Sequence, residues 1–481
     1  MQRTLRAGYA WRLILLALVF TFAAPLAQTA TEPEVVQIID QALADPALVH
    51  GLAGVVVTSL KDGRTIYAKN QDLVFIPASN FKLLVSATSL DRLGPEYRFK
   101  TELYTSGEHT PEGILKGDVI LVGRGNPILK PDDLQLMANK LEGIKTIEGN
   151  IVGDDTWFDD VRLGWGWNWD DEPYYYSAQL SALCLNKNVV DVYVRPGVKE
   201  GAAPMVRISP ATSYMTVRND ATTGKAGSEK TVSVDRLRGR NVIHVTGSIP
   251  LDAKSESPEE AITMEEPTLF AATMLREMLQ RAGVEVKGKP VRGAKPEGAV
   301  LVAFHQSVPL SEMMLLLNKP SDNLIAETLL KTLGAEFKGR GSSSRGADVE
   351  REFLEKAGLD MTALSIIDGS GLARMNYISP HNLATLLSYM YRHKDGALYM
   401  KSLPIAGVDG TLRSRMKGTA AAGNCKAKTG YISRVRTLSG YVTTKASEQL
   451  VFSIMMNHHL CSSAEVNAVQ DKIVTSLAEM K

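Results

Sequence analysis

Apolar positions along the chain recur with two different periods, and the change of period divides it. From Val35 to Ala44 they fall on one helical face. Gly54 to Leu60 is a largely apolar run, Lys61-Asp62-Gly63-Arg64 a turn, and Thr65 to Ala68 a second strand, together predicting a hairpin. Pro77 stands at an N1-like position before Phe81, Leu84, Ala87, Leu90 and Leu93, a helical spacing that Gly94 ends. From about 101 to 300 the pattern turns β-like: Val119 to Val122, Val190 to Val194, Thr231 to Val234 and Val242 to Thr246 alternate with Gly, Asp and Pro turns. Helical periodicity returns at Pro267 to Ala282, Pro309 to Leu333 (broken at Pro320), Ala347 to Ala357 and Pro380 to Tyr391. Three successive strands then follow, Gly430 to Arg436, Thr437 to Thr444 and Leu450 to Asn457, closed by a helix from Ala464 to Met480.

The fold class this predicts is α/β (α+β): an antiparallel sheet covered by helices, with a large β-rich insertion that contains a nested small β domain. The expected boundaries are 33–100 and 297–481 for the sheet-and-helix body, 101–189 and 256–296 for the insertion, and 190–255 for the nested module.

Ahead of the body, Arg3, Arg6 and Arg12 precede the apolar run Leu13 to Ala24, twelve residues long and too short to span a bilayer. Small residues at Ala23, Ala24, Ala27 and Ala30 suit cleavage, so 1–30 is expected to be a signal peptide; an uncleaved anchor is the alternative. Either places the body across a membrane, periplasmic or otherwise exported. The formal net charge is +1, and losing the three arginines takes it to −2, which argues against a nucleic-acid partner. Cys184, Cys425 and Cys461 allow one disulfide at most.

The candidate chemistry lies in three short motifs. Ser79-Asn80-Phe81-Lys82 puts a serine and a lysine three apart at a helix start, so a neutral Lys82 amine can take the proton as Ser79 attacks a carbonyl. Backbone N–H groups at the helix start favour the oxyanion. The bland alternative is a capped helix with a solvated lysine. Ser321-Asp322-Asn323 falls where the helical pattern breaks: Ser321 can relay a proton to a leaving amine and Asn323 can bind the substrate amide, or the three are an ordinary turn. Lys428-Thr429-Gly430 opens the apparent meander, where a strand edge can take an extended peptide, Lys428 and Thr429 a terminal carboxylate, and Gly430 allows close approach.

SxxK, SxN and KTG in this order are the set of penicillin-binding proteins and class A β-lactamases. With Gly123-Arg124-Gly125-Asn126-Pro127, Gly149 to Phe158, the Tyr-rich stretch Tyr174 to Asn188 and Asp368-Gly369-Ser370-Gly371-Leu372, the chain resembles the three-domain, low-molecular-mass class C penicillin-binding proteins, the D-Ala-D-Ala carboxypeptidase/endopeptidase family. Lys82 and Ser321 are separated by nearly half the chain, far more than a β-lactamase-like domain needs. Arg124 and Asn126 stand where the resemblance implies a Gly and an Asp.

The resemblance implies Ser79 as acylated nucleophile, Lys82 as its base, Ser321 and Asn323 as relay, and Lys428 as carboxylate or proton-network partner. It implies an oxyanion hole from the backbone N–H groups of Ser79 and Tyr431, with Thr429, Gly430 and Tyr431 against the substrate. The implied partners are peptidoglycan stem peptides, with β-lactam antibiotics as inhibitors and a peripheral association with membrane or cell wall; no cofactor and no metal is implied. Rival readings are a β-lactamase and a non-catalytic peptidoglycan-binding or sensor protein.

Asp155, with Asp154 and Asp159, is a candidate for the amino group of a stem peptide, against a solvated turn. Trp165, Trp167 and Trp169 are expected to plug a domain junction rather than form a glycan platform. His305, His381, His458 and His459 lack zinc-ligand spacing, and Gly369-Ser370-Gly371 is not a nucleophile elbow but a turn beside the cleft.

Overall fold

Val55, Val56 and Val57 are all buried, which requires a strand covered on both faces. In the computed structural model, which describes residues 30–254 and 256–481, that strand lies inside a five-stranded antiparallel sheet. The order is Thr65–Lys69, Leu52–Ser59, Gln449–Asn457, Val435–Thr443, Lys426–Ile432. Val55 and Val57 pack with Val35 and Ile39 of the helix Glu32–Leu43 and with Val466, Ile473 and Leu477 of the helix Ser463–Glu479. Val56, Val451 and Met455 face the opposite way, against the helices Lys82–Arg92, Asn323–Lys338, Ser343–Lys356 and Pro380–Arg392. The predicted hairpin, closing meander and terminal helices are thus present, each within a few residues of its expected bounds. The expected leader lies, apart from Ala30, outside the described residues.

Pro320 breaks the long helical pattern as expected, into Leu310–Asn318 and Asn323–Lys338. Between them Ser321 takes φ +67°, and Asp322 caps the second helix by accepting from Ile325 N at 3.0 Å.

The stretch between the two halves of the body builds a second hydrophobic core on a mixed sheet ordered Pro290–Arg292, Ile151–Asp154, Val119–Arg124, Lys100–Thr105, Val300–Gln306. Two helices pack there, Pro267–Arg281 and Pro131–Ala138. The second was not expected, although Pro131 at its first position and Asp133, which accepts from Lys130 N at 2.9 Å, are ordinary helix-start residues. Further on, Val189–Arg195 pairs with both Met205–Ser209 and Glu260–Thr263, so one small sheet joins residues on either side of position 255. Among the described residues no helix is long and apolar enough to cross a membrane, and all three cysteines are free thiols.

A buried ion pair ties the insertion to the body. Lys331, almost fully buried on the helix Asn323–Lys338, donates to Asp159 Oδ1 at 2.6 Å and to Val161 O at 2.7 Å. Removing the carboxylate leaves an uncompensated buried ammonium, so Asp159→Ala is expected to lower the unfolding free energy by about 3–5 kcal/mol in guanidinium titrations. The pairwise replacement Lys331→Met with Asp159→Leu is expected to cost far less.

Candidate functional site

Three segments distant in sequence converge at the Lys426–Ile432 edge of the central sheet. The expected helix from Pro77 starts instead with a 3₁₀ turn, Ala78–Phe81, and becomes α-helical only at Lys82. Side chains three apart eclipse in a 3₁₀ turn, which stacks Lys82 over Ser79. Lys82 Nζ lies 2.9 Å from Ser79 Oγ, 2.6 Å from Asn323 Oδ1 and 2.7 Å from Ser370 O. The orientation of the Asn323 amide is fixed by its other end, where Nδ2 donates to Tyr176 O at 2.7 Å.

The first strand of the meander begins earlier than expected, at Lys426, so Lys428-Thr429-Gly430 sit mid-strand. Alternation then separates their roles. Thr429 and Tyr431 line the open cleft, and Thr429 Oγ1 donates to Thr411 Oγ1 at 2.7 Å. Lys428 and Gly430 point under the nucleophile turn. Lys428 is fully buried, and its Nζ donates to Ser321 Oγ at 2.8 Å and to Thr429 O at 2.9 Å. A Cβ on Gly430 would come 2.1 Å from Thr437 Oγ1 and 2.5 Å from Pro77 O, so only glycine admits the turn this close. Asn80 completes the clasp: its amide donates to Lys428 O at 2.7 Å and accepts from Ser439 Oγ at 2.7 Å.

Burial governs the electrostatics. Desolvation pulls the Lys82 amine down to about 8 against the opposing pull of Asp368, Glu327 and Asp322. Desolvation, with Lys82 nearby, holds Lys428 well below the ordinary lysine value. A neutral Lys82 has two N–H groups and one lone pair. Asn323 Oδ1 and Ser370 O can only accept, so they take both N–H groups and leave the lone pair for Ser79 Oγ.

The family model for D-Ala-D-Ala carboxypeptidase 3 (S13) matches residues 35–480. The chain belongs to the S13 peptidase family. Among its relatives, the D-alanyl-D-alanine carboxypeptidase of Actinomadura sp. (strain R39) is 40% identical over 458 residues, 92% of this chain and 84% of that one. The carboxypeptidase DacB of Haemophilus influenzae is 26% identical over 419 residues, 86% of each chain. The crystal structure of penicillin binding protein 4 (dacB) from H. influenzae aligns with a TM-score of 0.80 at 25% identity, covering 91% of this chain and 97% of that one. The resemblance carried by SxxK, SxN and KTG is therefore shown, the fold is the α+β penicillin-binding type, and the chain is a D-Ala-D-Ala carboxypeptidase-family hydrolase.

In this S13 peptidase the cleft holds about 520 Å³ and is lined by Ser79, Ser321, Asn323, Thr429 and Tyr431, together with residues that sequence reasoning left out. Those are Asp170, Asp171, Tyr176, Thr411 and Arg374. None belongs to a short motif: Asp170, Asp171 and Arg374 arrive from loops and Tyr176 and Thr411 from 3₁₀ turns, whose paths only the fold defines. The Ser370 carbonyl was also missed, because a backbone acceptor leaves no residue-type signature.

Asp155 does not face the cleft, and the expectation that it contacts substrate is corrected. It is 2% exposed, and its carboxylate is taken up by Arg162 at 2.6 Å, Arg292 at 2.8 Å and Thr268 at 2.5 Å. Both oxygens are engaged from within the protein, Oδ1 by Arg292 and Oδ2 by Arg162, Thr268 and Ser181. The tryptophans divide: Trp167 Nε1 donates to Asp368 Oδ2 at 2.9 Å across the junction, whereas Trp165 and Trp169 are 68% exposed and plug nothing.

The turn Asp368 to Leu372 lies against the nucleophile, with Gly371 at φ +81° and a would-be Cβ 1.9 Å from Ala78 O. Gly371→Ala is expected to displace the Ser79 turn and lower the rate of penicillin acylation by about 100-fold, the effect of a misplacement near 1 Å. Stopped-flow acylation together with a melting curve that stays cooperative would check it.

Proposed function

We propose that this hydrolase is a serine-type D-Ala-D-Ala carboxypeptidase/endopeptidase that works through an acyl-enzyme on Ser79. The observation that carries the reading is the buried Lys82 amine, 2.9 Å from Ser79 Oγ and within 2.7 Å of two acceptor-only oxygens, Asn323 Oδ1 and Ser370 O, which in the neutral amine take both N–H groups and leave the lone pair to Ser79. As Ser79 Oγ attacks the carbonyl of the penultimate D-Ala, its proton passes to Lys82 and the new C–O bond forms. When the C–N bond breaks, the proton that Lys82 took is passed on by way of Ser321, which Lys428 holds in place, to the leaving amine. Water then attacks the ester, giving a proton to Lys82, and as the bond from Ser79 Oγ to the acyl carbon breaks Lys82 returns that proton to Oγ, regenerating the serine. Thr429 and Thr411, whose hydroxyls meet at the cleft wall, suit the terminal carboxylate.

The substrates are peptidoglycan stem peptides, and the amine released is terminal D-Ala or the neighbour in a cross-link. β-Lactams mimic the D-Ala-D-Ala end and acylate the same serine. The names of the Actinomadura and Haemophilus relatives support the carboxypeptidase reading, and a Haemophilus structure described as complexed with a β-lactam supports the inhibitor class. A basic, apolar N-terminus ahead of the body supports a periplasmic or otherwise exported site of action.

Ser79→Ala is expected to lose covalent penicillin labelling and D-Ala release together, read by intact mass and free D-Ala. A variant that is still labelled and still releases D-Ala would remove Ser79 from the mechanism. In the wild type, the second-order acylation constant is expected to rise with pH through about 8, where Lys82 loses its proton, because the protonated amine has no lone pair to offer. A flat profile from pH 6 to 9 would contradict Lys82 as the base.

A further inference from the structure

The Ser370 carbonyl is one of only two groups that steer the Lys82 lone pair, so whatever holds that carbonyl shares in aiming the base. It lies in a turn rich in glycine, Asp368-Gly369-Ser370-Gly371, which has little stiffness of its own. Two buried carboxylates brace it. Asp368 Oδ1 accepts from Gly371 N at 2.7 Å, on the peptide plane whose other side is the Ser370 carbonyl. Asp368 is itself saturated by Ala373 N, Asn376 Nδ2 and Trp167 Nε1. The preceding peptides are gripped by Glu327, whose Oε1 accepts from Ser370 N at 2.8 Å and from Gly369 N at 3.1 Å. Glu327 is fully buried, four residues after Asn323 on the same helix, so one helical face delivers both steering contacts to Lys82: Asn323 directly and Ser370 through Glu327. A Cβ on Gly369 would stand 2.8 Å from Ala326 O, so glycine there lets the turn lie on the helix close enough to be gripped.

We propose, on the reading of Lys82 as the base, that Glu327 is a positioning residue for it: by gripping the Gly369 and Ser370 amides it fixes the carbonyl that directs the lysine lone pair at Ser79. Among the described residues no cation lies within ion-pair distance of Glu327, and its hydrogen bonds go to this turn, although Lys82 and Lys331 feel its charge through space. The neighbouring acid, Glu350 on the helix Ser343–Lys356, is fully buried with neither oxygen hydrogen-bonded. Burial and Asp368 push Glu327 up to about 7, and burial with Glu327 and Asp368 pushes Glu350 well above the carboxylate range. The hydrogen bonds from Gly369 and Ser370 oppose the rise at Glu327, so the carboxylate and the turn stabilise each other.

The charged groups around Lys82 are Glu327 from the helix Asn323–Lys338, Asp322 at that helix's cap, Asp368 from the turn and Lys428 from the strand; Glu350 and Lys331 stand next to Glu327. Removing the Glu327 charge while keeping its acceptor makes protonated Lys82 less favourable, so the lysine value falls. The test compares Glu327→Gln and Glu327→Ala in the full chain, using the pH profile of acylation by a fluorescent penicillin, D-Ala release and thermal melting. Glu327→Gln, whose amide oxygen can still accept from both N–H groups, is expected to acylate within a few-fold of wild type at high pH, with its acid limb moved to lower pH. Glu327→Ala is expected to acylate at least tenfold more slowly across the profile. The inference is overturned if the alanine variant acylates like wild type, or if the glutamine variant is as slow as alanine with an equally lowered Tm. Ser79→Ala run in parallel separates the two levels: labelling that persists there removes the underlying reading, whereas its loss beside unaffected Glu327 variants removes only Glu327.

Discussion

An amine withdrawn from water must find its hydrogen-bond partners in the protein, and the rest of this site follows from how Lys82 finds them. Burial disfavours the charged form, which pulls the amine down to about 8 from the ordinary lysine value. The same burial fixes its direction, since the partners come from three separate elements: the turn before its own helix, the helix Asn323–Lys338 and the turn at Ser370. None can shift without opening a gap at the nitrogen. The close glycine contacts at Gly371 and Gly430 are the steric expression of that requirement, because each lets backbone approach backbone where any side chain would intrude.

The insertion is stitched to this arrangement rather than appended to it. Asn323 presents its oxygen to Lys82 because its nitrogen is held by the carbonyl of Tyr176, on the side of the insertion that faces the cleft. Trp167 bonds Asp368, and Asp159 neutralises Lys331 two turns along the same helix. The loop from Asp155 to Ser181 thus forms one wall of the cleft while fixing groups inside it. Asp155 anchors that loop from behind, spanned by Arg162 and Arg292.

Much of this was legible in the chain. Periods of two and near four located the hairpin, the meander and most of the helices, and the three motifs named Ser79, Lys82, Ser321, Asn323 and Lys428, which the fold brings within hydrogen-bond reach in two linked sets. The misreadings have physical causes. The helix Pro131–Ala138 is short and sits among strands, so its period covers barely two turns. The strand carrying Lys428 begins at Lys426 because its partner Val435–Thr443 extends that far, a pairing no local pattern encodes. Asp155 looked exposed because its neighbours are polar, whereas its arginine partners lie at 162 and far downstream at 292. Ser370 acts through its backbone and Glu327 through another residue's backbone, and neither kind of contact leaves a signature of residue type.

The order of strands in the central sheet also bears on how the molecule is assembled. Leu52–Ser59 has no partner on its inner side until Gln449–Asn457 arrives, with Leu52 opposite Asn457. A chain emerging from its N-terminus therefore carries a hairpin with one open apolar edge until Gln449–Asn457 is made, while the insertion, whose buried core lies among residues 103–286, is available much earlier. Pairings so distant in sequence are slow to form. The nucleophile turn, clasped by that late strand set, is among the last parts to acquire its shape: the protein becomes competent to react only once its whole length is available.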